Sequence, residues 1–289
     1  MKLFHTLPLV AAMAIAAPVL AAGPTACPQH FAAGQPPQIV NAKLRPQTRE
    51  LCFEAFAVLH SGLSHTPLYS AEHLTRQNLE QARELPRRDS FHAEDRLPER
   101  ERAELSDYAR SGYDRGHMAP NADMPTRSAQ AESFSLANMV PQLHENNAGV
   151  WAGIEAAARQ LARDEGELYV VSGPAFVGQD IKQIGRGVLV PTHLWKVVYS
   201  PRQQRAGAYL IDNDTSQDWR ALSLAELEHF AGINALPALP QKVREAGMKL
   251  PDPAPPQHDH KPRSKPKEDS LLQDLSRALL AFLNKLVRF

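Results

Sequence analysis

A run of residues 113–124 constrains this chain more than any other stretch, because it places an acid, a base, a histidine and turn-forming residues side by side. Neither an amphipathic helix nor an alternating strand needs that composition. Gly116 beside His117 indicates a backbone bend that presents the imidazole outward. By itself, the run is also explained by a polar loop whose histidine only satisfies local hydrogen bonds. The residues downstream decide between the two interpretations.

A helix with two distinct faces is predicted over residues 146–163. Its core face is an apolar stripe at helical spacing, formed by Val150, Ile154, Ala157 and Leu161. A second face, turned by about 100°, carries Asn147, Trp151 and Glu155. On a regular helix Asn147 and Glu155 lie about 12 Å apart along the axis, too far for both to bind one metal ion directly. Without the upstream histidine, this face would be explained as a polar stripe toward solvent.

The remaining pattern is one of short strands mixed with short helices. Strands are predicted at residues 51–59, 67–74, 167–171, 188–198 and 205–211. Short helices are predicted at residues 128–134 and 223–232, and Ser223 with Glu226 forms a capping box for the second. Because the strands do not alternate with helices in a βαβ rhythm, the pattern predicts an α+β domain with an antiparallel sheet.

Taken in order, these motifs resemble the DNA/RNA non-specific endonuclease family, which includes mitochondrial endonuclease G. The family hallmark Asp-Arg-Gly-His is matched by residues 114–117, and its Asn-hydrophobic-x-Pro-Gln segment by residues 137–142. Its helix with Asn, Trp and Glu is matched by residues 147–155, and residues 169–174 and 190–196 are also similar. The resemblance implies the ββα-metal (His-Me finger) nuclease fold, an α+β fold in which helices flank a central antiparallel sheet.

The resemblance also implies a role for each polar residue of these motifs. His117 is expected to be the general base, and Asn138 to orient or hold the site around it. Asn147 is expected to bind one Mg²⁺ directly, with Mn²⁺ as an alternative ion, while Glu155 reaches the ion through a bound water. Asp114 is expected to position waters or to brace the loop. A single neutral protein ligand suits Mg²⁺, which keeps its waters, better than it suits Zn²⁺.

A phosphate-binding arginine is expected in the irregular, charged segment upstream of the run. The family has a functional arginine on a similar loop before its histidine. Arg88 stands at the comparable spacing before His117, with its neighbour Arg87 as the alternative. Without the resemblance, the same segment would be explained as a solvated loop.

The activity that the resemblance implies is endonucleolytic hydrolysis of phosphodiester bonds in DNA and RNA, leaving 5′-phosphates. The substrate would be held through its phosphates, which carry no base sequence information. Lys and Arg total 32 and Asp and Glu also total 32, so the formal net charge is zero and binding needs a locally basic groove. A secreted module that captures DNA without cutting it is the competing interpretation, and a metal-dependent phosphodiesterase with another substrate is a third. The intact set Asp114, His117, Asn147 and Glu155 favours turnover over capture.

The N-terminal residues predict export. Lys2 is followed by an apolar run over residues 7–20 and by small residues, the layout of a secretory signal peptide, here residues 1–22. The protein is therefore expected to be periplasmic or secreted. Cys27 and Cys52 are the only cysteines, and an even pair in an oxidising compartment predicts one disulfide. Two buried free thiols are the alternative.

Composition divides the rest of the chain into three parts. A nuclease domain is predicted at residues 23–248, followed by a linker rich in proline and charge at residues 249–269. Residues 270–289 predict an amphipathic C-terminal helix, whose apolar stripe includes Leu275 and Phe282. Three partners are open for this helix, namely its own domain, a protein and a membrane surface. The family resemblance does not extend to it.

Overall fold

A seven-stranded antiparallel sheet forms the centre of the fold, with helices against both faces. The computed structural model describes residues 25–254. Its strands are β1 (Gln38–Ile39), β2 (Thr48–Cys52), β3 (Phe56–Ser61), β4 (Thr66–Thr75), β5 (Asp114–His117), β6 (Met139–Gln142), β7 (Glu167–Ala175), β8 (Gln183–Ile184), β9 (Val188–Leu189), β10 (His193–Ser200), β11 (Arg205–Asp212), β12 (Arg220–Leu222) and β13 (Ile233–Asn234). Its α-helices are α1 (Arg76–Glu84), α2 (Leu105–Tyr108), α3 (Arg127–Ser133), α4 (His144–Asn146), α5 (Ala152–Glu165), α6 (Leu224–Ala231) and α7 (Gln241–Ala246).

The central sheet has the strand order β12-β11-β10-β7-β4-β3-β2, and its neighbours are all antiparallel. Alternation along each strand sends successive side chains to opposite faces. Val170 on β7 packs with Ile154 of α5 on one face, whereas Val171 packs with Leu227 of α6 on the other. Met118, the neighbour of His117, belongs to the α5 face. The predicted α+β class is confirmed, and the α5 face of the sheet is the one that supports the candidate site.

The strand–strand–helix unit implied by the family resemblance is present. The run predicted as a loop contains β5, which pairs with β6 so that His117 lies opposite Met139. The chain then enters α4, a π-helical turn at Asn147–Trp151, and α5. β5 has only four residues, which is too short to show the alternation of apolar and polar residues that identifies a strand. Its polar composition therefore indicated a loop. The predicted apolar stripe of the helix is confirmed, since Val150 and Ile154 are buried in the core.

The prediction of a single strand over residues 51–59 is wrong, because the segment is the hairpin of β2 and β3. Phe53 N–H donates a hydrogen bond to the Phe56 carbonyl at 2.9 Å, and the two rings stack with centroids 4.3 Å apart. A distant side chain holds the reversal, since Glu54 N–H donates to Glu132 Oε2 at 2.7 Å. No glycine or proline marks this turn, and a continuous apolar run therefore hides it. The strand predicted at residues 67–74 is β4, and it pairs with β3 in the antiparallel sense that was predicted for the sheet.

The later elements follow the predicted pattern with one interruption. β7, β11, α3 and α6 are confirmed, and α6 has the predicted capping box of Ser223 and Glu226. The strand predicted over residues 188–198 is divided into β9 and β10 around Pro191. The Pro191 carbonyl accepts a hydrogen bond from Asn213 Nδ2 at 2.9 Å instead of joining a ladder. None of the helices within residues 25–254 has the length and apolar composition needed to cross a membrane.

The ends of the domain are held by a disulfide and by a packed C-terminal segment. The predicted bond between Cys27 and Cys52 is present and ties the N-terminal segment to β2. The predicted linker starts at residue 249, yet Leu250 is buried and the Tyr209 hydroxyl donates to the Pro251 carbonyl at 2.8 Å. The packed domain therefore extends past the predicted boundary at 248. The predicted signal peptide and C-terminal helix lie outside the described residues.

Candidate active site

His117 lies at the end of β5 among aromatic rings. The residue is only 8% exposed, and its ring centroid is 5.1 Å from that of Phe134 and 5.8 Å from that of Phe91. Among the described residues, His117 Nε2 has no hydrogen-bond partner. A buried ring nitrogen without a partner is rare in folded proteins and calls for a functional explanation. Within residues 25–254 no hydrogen bond therefore occupies this nitrogen, although it is buried from solvent.

The surroundings keep His117 neutral at physiological pH. Burial, with a smaller contribution from the Arg87 cation, lowers the pKa of His117 from 6.5 to about 3. A neutral imidazole can accept a proton, whereas an imidazolium cannot. A bound phosphodiester would bring negative charge beside Arg87 and so raise the basicity of the ring. The site thus presents His117 in the form that a general base requires.

Asn138, which was expected to orient or hold the site, lies behind His117 and away from solvent. Its Oδ1 accepts a hydrogen bond from Ala119 N–H at 2.9 Å, and its Nδ2 donates to the Ala119 carbonyl at 2.8 Å. Nδ2 also donates to the Ser133 carbonyl at 3.0 Å, and Oδ1 accepts from the Ser70 hydroxyl at 2.8 Å. These contacts occupy both ends of the amide, so Asn138 holds the backbone after His117 and does not contact a substrate.

Asp114, Asn147 and His144 form a hydrogen-bonded group in front of the sheet. Asn147 Nδ2 donates to Asp114 Oδ2 at 3.0 Å, and His144 Nδ1 donates to the same oxygen at 2.9 Å. The hydrogen bond to this carboxylate raises the pKa of His144. Within residues 25–254 no donor occupies Asn147 Oδ1, so the amide oxygen is left for a ligand. Asp114 therefore braces the residue that was expected to bind the metal.

The helix that carries Asn147 and Glu155 is irregular at its start. In the π-helical turn at Asn147–Trp151, Gly149 leaves the helical conformation with φ −101° and ψ −112°. The side chain of Gln217 enters this turn, where its Oε1 accepts a hydrogen bond from the next N–H at 2.8 Å. The regular spacing of about 12 Å between Asn147 and Glu155 does not apply across the turn. An inserted side chain from a distant segment causes the irregularity, which local periodicity cannot predict.

Glu155 lies in the first turns of α5 within a group of charged side chains. Burial raises the pKa of Glu155 to about 7, and the nearby cations of Lys196 and Arg159 act in the opposite direction. Arg159 in turn donates to Asp123 Oδ1 at 3.0 Å. The structure thus places Glu155 close to Arg159, whereas Asn147 faces Asp114. The sequence motifs did not indicate Arg159, although its position four residues after Glu155 on one helix face is a signal that could have done so.

A cavity of about 320 Å³ lies beside the braced amide. Charged, polar and aromatic side chains share its wall, among them Arg87, Phe91, Tyr108, Asp114, Arg115 and Asn147. The Arg115 guanidinium lies 4.1 Å from the Phe91 ring centroid, and that of Arg87 lies 5.3 Å from the Phe134 centroid. Two cations therefore face the space next to a candidate metal ligand. A locally basic groove was expected from the zero net charge, and Arg87 and Arg115 are the two cations in this wall.

Arg87, and not Arg88, belongs to this wall. The predicted clamp Arg88 is exposed, and among the described residues it forms no ion pair with an acid. Arg87 Nε donates to Asp89 Oδ1 at 2.6 Å, which orients its side chain. Successive side chains leave the backbone in different directions, so sequence spacing could not choose between the two arginines. Arg115 was also missed as a site residue, although it stands inside the organising run.

The donor atoms at this site suit a hard cation. Asn147 Oδ1 and the Asp114 carboxylate are oxygen ligands, which Mg²⁺ and Mn²⁺ prefer, and Glu155 carries a further oxygen donor in the helix that follows. Within residues 25–254, three His, Cys, Asp or Glu ligand atoms come together only near the N-terminus, in a group that contains both disulfide sulfurs. The site therefore offers no cage of such ligands. An ion bound here would keep most of its waters, as Mg²⁺ does.

The chain is similar in sequence to nucleases over most of its described length. The sequence profile of a family described as DNA/RNA non-specific endonuclease matches residues 36–242. A protein of Danio rerio named nuclease EXOG, mitochondrial, is 35% identical over 197 residues, which cover 60% of this chain and 57% of that protein. A nuclease of Nostoc sp. is 34% identical over 225 residues, which cover 72% of this chain and 80% of that protein.

The fold is similar to that of a solved nuclease. A chain in the crystal structure of an EndoG/EndoGI complex has a TM-score of 0.60 and 26% identity, over 64% of this chain and 84% of that chain. The predicted ββα-metal fold is thereby confirmed. This chain spans 57% of the Danio rerio relative and 58% of the human protein named nuclease EXOG, mitochondrial.

Proposed function

This chain belongs to the DNA/RNA non-specific endonuclease family, and we propose from that premise that it is a metal-dependent endonuclease that hydrolyses phosphodiester bonds in DNA and RNA. The observation that carries the proposal is the buried, neutral imidazole of His117, whose Nε2 has no partner among the described residues. Its neighbour Phe91 also lines the cavity that contains Asp114 and Asn147. A base, an oxygen ligand and a space for substrate are thus adjacent.

In the proposed reaction, His117 takes a proton from the attacking water. The water oxygen forms a bond to phosphorus while the bond between phosphorus and O3′ breaks, and the departing O3′ takes a proton from solvent. One product therefore ends in a 5′-phosphate and the other in a 3′-hydroxyl. Asn138 supports this step indirectly, because it holds the backbone that follows His117.

Arg87 and Arg115 hold the phosphate in this proposal. A guanidinium group matches phosphate oxygens in a bidentate geometry and stays charged at every working pH. Both side chains line the cavity, and both also lie against aromatic rings that limit their motion. Because phosphate contacts do not read bases, this arrangement supports cleavage without sequence preference and leaves the preference between DNA and RNA open.

Asn147 through its Oδ1, and Glu155 through a bound water, are proposed to hold Mg²⁺, with Mn²⁺ as an alternative ion. When bound, the cation neutralises charge on the phosphorane and stabilises the leaving oxygen. Asp114 contributes by keeping the Asn147 amide nitrogen occupied, so that the oxygen is presented. The oxygen donor set supports this choice of ion over Zn²⁺.

We also propose that the protein is exported, to the periplasm or out of the cell. The apolar run over residues 7–20 after Lys2 supports export. The disulfide between Cys27 and Cys52 is consistent with an oxidising compartment. Identification of the N-terminal residue of the protein recovered from the periplasm or culture medium tests this: a protein still carrying residues 1–22 contradicts it.

Digestion of supercoiled plasmid and of RNA by purified protein tests the activity. With Mg²⁺ the plasmid is expected to be nicked, linearised and degraded and the RNA degraded, and EDTA is expected to stop both. New DNA ends should accept a kinase label only after phosphatase treatment, because they carry 5′-phosphates. A protein that binds DNA but cuts it with no divalent cation would establish the binding-module interpretation.

Two histidine variants test the proposed base. His117→Ala is expected to lower the cleavage rate by about 10²–10⁴-fold, because proton abstraction is lost, while filter binding of DNA persists. His229→Ala is the matched control, since this exposed histidine lies on α6 at the opposite face of the sheet. A His117→Ala protein that cuts at the parental rate would disprove the assignment.

A further inference from the structure

A row of buried polar side chains crosses the centre of the main sheet. Ser70 on β4, Ser172 on β7 and Lys196 on β10 are direct neighbours in the strand register. None of them is more than 1% exposed. The buried carboxylate of Glu72 lies on the same face beside Val170, and the neighbouring positions, among them Val170 and Leu194, are apolar and packed in the core beneath α5. The polar row therefore interrupts a hydrophobic surface directly under the candidate site.

Both ends of this row hold the chain segment that follows His117, one end directly and the other through the side chain of Asn138. At one end, the Ser70 hydroxyl donates to Asn138 Oδ1, the same atom that accepts from Ala119 N–H. At the other end, Lys196 Nζ donates to the Met118 carbonyl at 3.3 Å and to Ser172 Oγ at 2.5 Å. Side chains of the central sheet thus hold Met118 and Ala119, the two residues after His117. No strand of that sheet pairs with these residues through backbone hydrogen bonds among the described residues.

Lys196 also contacts the residue that holds His117 itself. Its ammonium nitrogen lies 5.0 Å from the ring centroid of Trp151, within cation–π range. The Trp151 Nε1–H donates to the His117 carbonyl at 3.1 Å. The carbonyls of His117 and Met118 are therefore held by two side chains that touch each other. Both contacts come from elements far apart in sequence.

We propose that Lys196 is a positioning residue of this site, whose ammonium group holds the peptide after His117 and thereby aims the imidazole. The inference rests on the function proposed above. Because His117 Nε2 has no hydrogen-bond partner among the described residues, the direction of the ring depends on its backbone and on the neighbouring rings. A misplacement of about 1 Å at a reacting group can cost about 10²-fold in rate. The contacts of Lys196 prevent such a shift.

The charge itself supports a role other than stability. Burying an ammonium ion costs free energy that an apolar side chain of similar size would not cost. The nearby carboxylate of Glu72 is 1% exposed and has no hydrogen-bond partner among residues 25–254, so it does not form a direct ion pair with Lys196. The hydrogen bonds of the ammonium group instead go to Ser172 and to the site backbone.

Proton–carbon NMR of metal-free protein labelled with ¹³C-histidine tests the inference. The His117 Cε1–H resonance is identified by its absence in His117→Ala. Lys196→Met is expected to shift or broaden this resonance and to lower kcat by about 10–100-fold, with KM for DNA within about threefold of the parent. A side chain that only stabilised the fold would lower the melting temperature without moving the resonance.

Ser200→Ala is the matched control, because it removes a buried hydroxyl on the same strand whose hydrogen bonds within residues 25–254 go to Glu165 and Gln203, neither of which belongs to the candidate site. Parental values of the His117 resonance and of kcat are expected for it. A folded Lys196→Met protein with the parental resonance and with kcat within about threefold would overturn the inference.

If Lys196→Met does not fold, Ser172→Ala carries the test, since it removes one of the two hydrogen bonds of the ammonium group. It is expected to move the His117 resonance and to lower kcat by about 3–10-fold, and parental values of both would overturn the inference. The resonance needs no turnover. A parent protein that never cleaves nucleic acid would therefore disprove the proposed function and leave the positioning of His117 separately measurable.

Discussion

Asn147 donates a hydrogen bond from its side-chain Nδ2 to Asp114 Oδ2, and the two atoms lie 3.0 Å apart. The opposite orientation of the amide would place two oxygens against each other, so the carboxylate determines which end of Asn147 is presented. Asp114 is the first residue of β5, and Asn147 is the first residue of the π-helical turn that precedes α5. The hydrogen bond therefore joins the strand to the start of the helix. A short contact between them thus converts an ambiguous amide into a defined oxygen ligand.

The first prediction follows from this contact. Asp114→Asn keeps the size of the side chain but removes the charge that orients the Asn147 amide. Loss of such an orienting partner typically weakens metal binding by about 10–100-fold, and the Mg²⁺ concentration for half-maximal cleavage should rise accordingly. Titration of Mn²⁺ followed by electron paramagnetic resonance measures the same change without turnover.

The control for this prediction is His144→Gln, which changes the other partner of Asp114. His144 is largely exposed, so its removal should alter the half-saturating cation concentration by less than about threefold. Equal cation titrations for Asp114→Asn and the parent would contradict the bracing role.

The second prediction distinguishes the two adjacent arginines. Arg87→Ala is expected to lower kcat/KM for DNA by about 10²-fold, because a charge-assisted phosphate contact in the cavity is lost. Arg88→Ala, which carries the same change one residue further along an exposed segment, should stay within about threefold of the parent. Initial rates on a labelled duplex measure both. The reverse ranking would restore the assignment made from sequence spacing.

The third prediction concerns acid stability and the buried His60. Its Nε2–H donates to the Glu101 carbonyl at 2.7 Å, and burial lowers the pKa of His60 from 6.5 to about 4. The unfolded chain binds this proton more tightly than the folded one, so stability present above pH 6.5 is lost as the pH falls toward 4. At pH 4 the loss from this residue is on the order of 3 kcal/mol.

Urea unfolding at pH 7.5 and at pH 4 of the parent and of His60→Gln measures that loss. The glutamine amide can still donate a hydrogen bond but does not titrate, so the variant should lose less stability between the two pH values. His229→Gln, an exposed histidine, should behave like the parent. If His60→Gln has the same pH dependence as the parent, another group is responsible for the acid sensitivity.

The fourth prediction uses two truncations to locate the end of the domain. A chain ending at Ala254 should fold and cut within a few-fold of full length, since a linker rich in proline and charge separates the C-terminal residues from every candidate site residue. A chain ending at Met248 loses the buried Leu250 and the hydrogen bond from Tyr209 to Pro251. Its free energy of unfolding should fall by about 2–4 kcal/mol. Denaturant unfolding and plasmid digestion measure the two effects. A folded chain ending at Ala254 that is a hundredfold slower would show that the C-terminal segment completes the site.

Several features could be predicted because they depend on neighbouring residues or on simple counting. Ser223 and Glu226 predicted the cap of α6, since a capping box is made within one turn. Cys27 and Cys52 had no other cysteine to pair with. The apolar stripe of α5 followed from helical periodicity. The family motifs brought His117, Asn147 and Asp114 into one hypothesis because their order along the chain is specific.

The tertiary structure decided the features that depend on distant partners. Glu132 holds the turn at Glu54, and for this reason the apolar run over residues 51–59 wrongly predicted a single strand. Gln217 enters the helix at Gly149, and for this reason the regular helical spacing between Asn147 and Glu155 does not apply. The cavity wall contains Arg87 and not Arg88, because the two adjacent side chains leave the backbone in different directions.

The sequence by itself therefore determined which chemical groups the protein carries, the order in which they occur and the local elements that hold them. Only the tertiary structure determined which of those groups face one another. Lys196 shows the difference, since its strand predicts an apolar neighbourhood and only the tertiary packing brings its ammonium group to the Met118 carbonyl. The physical reason is that burial and hydrogen bonding are set by contacts between segments far apart in the chain, and single-chain periodicity records only contacts within a segment.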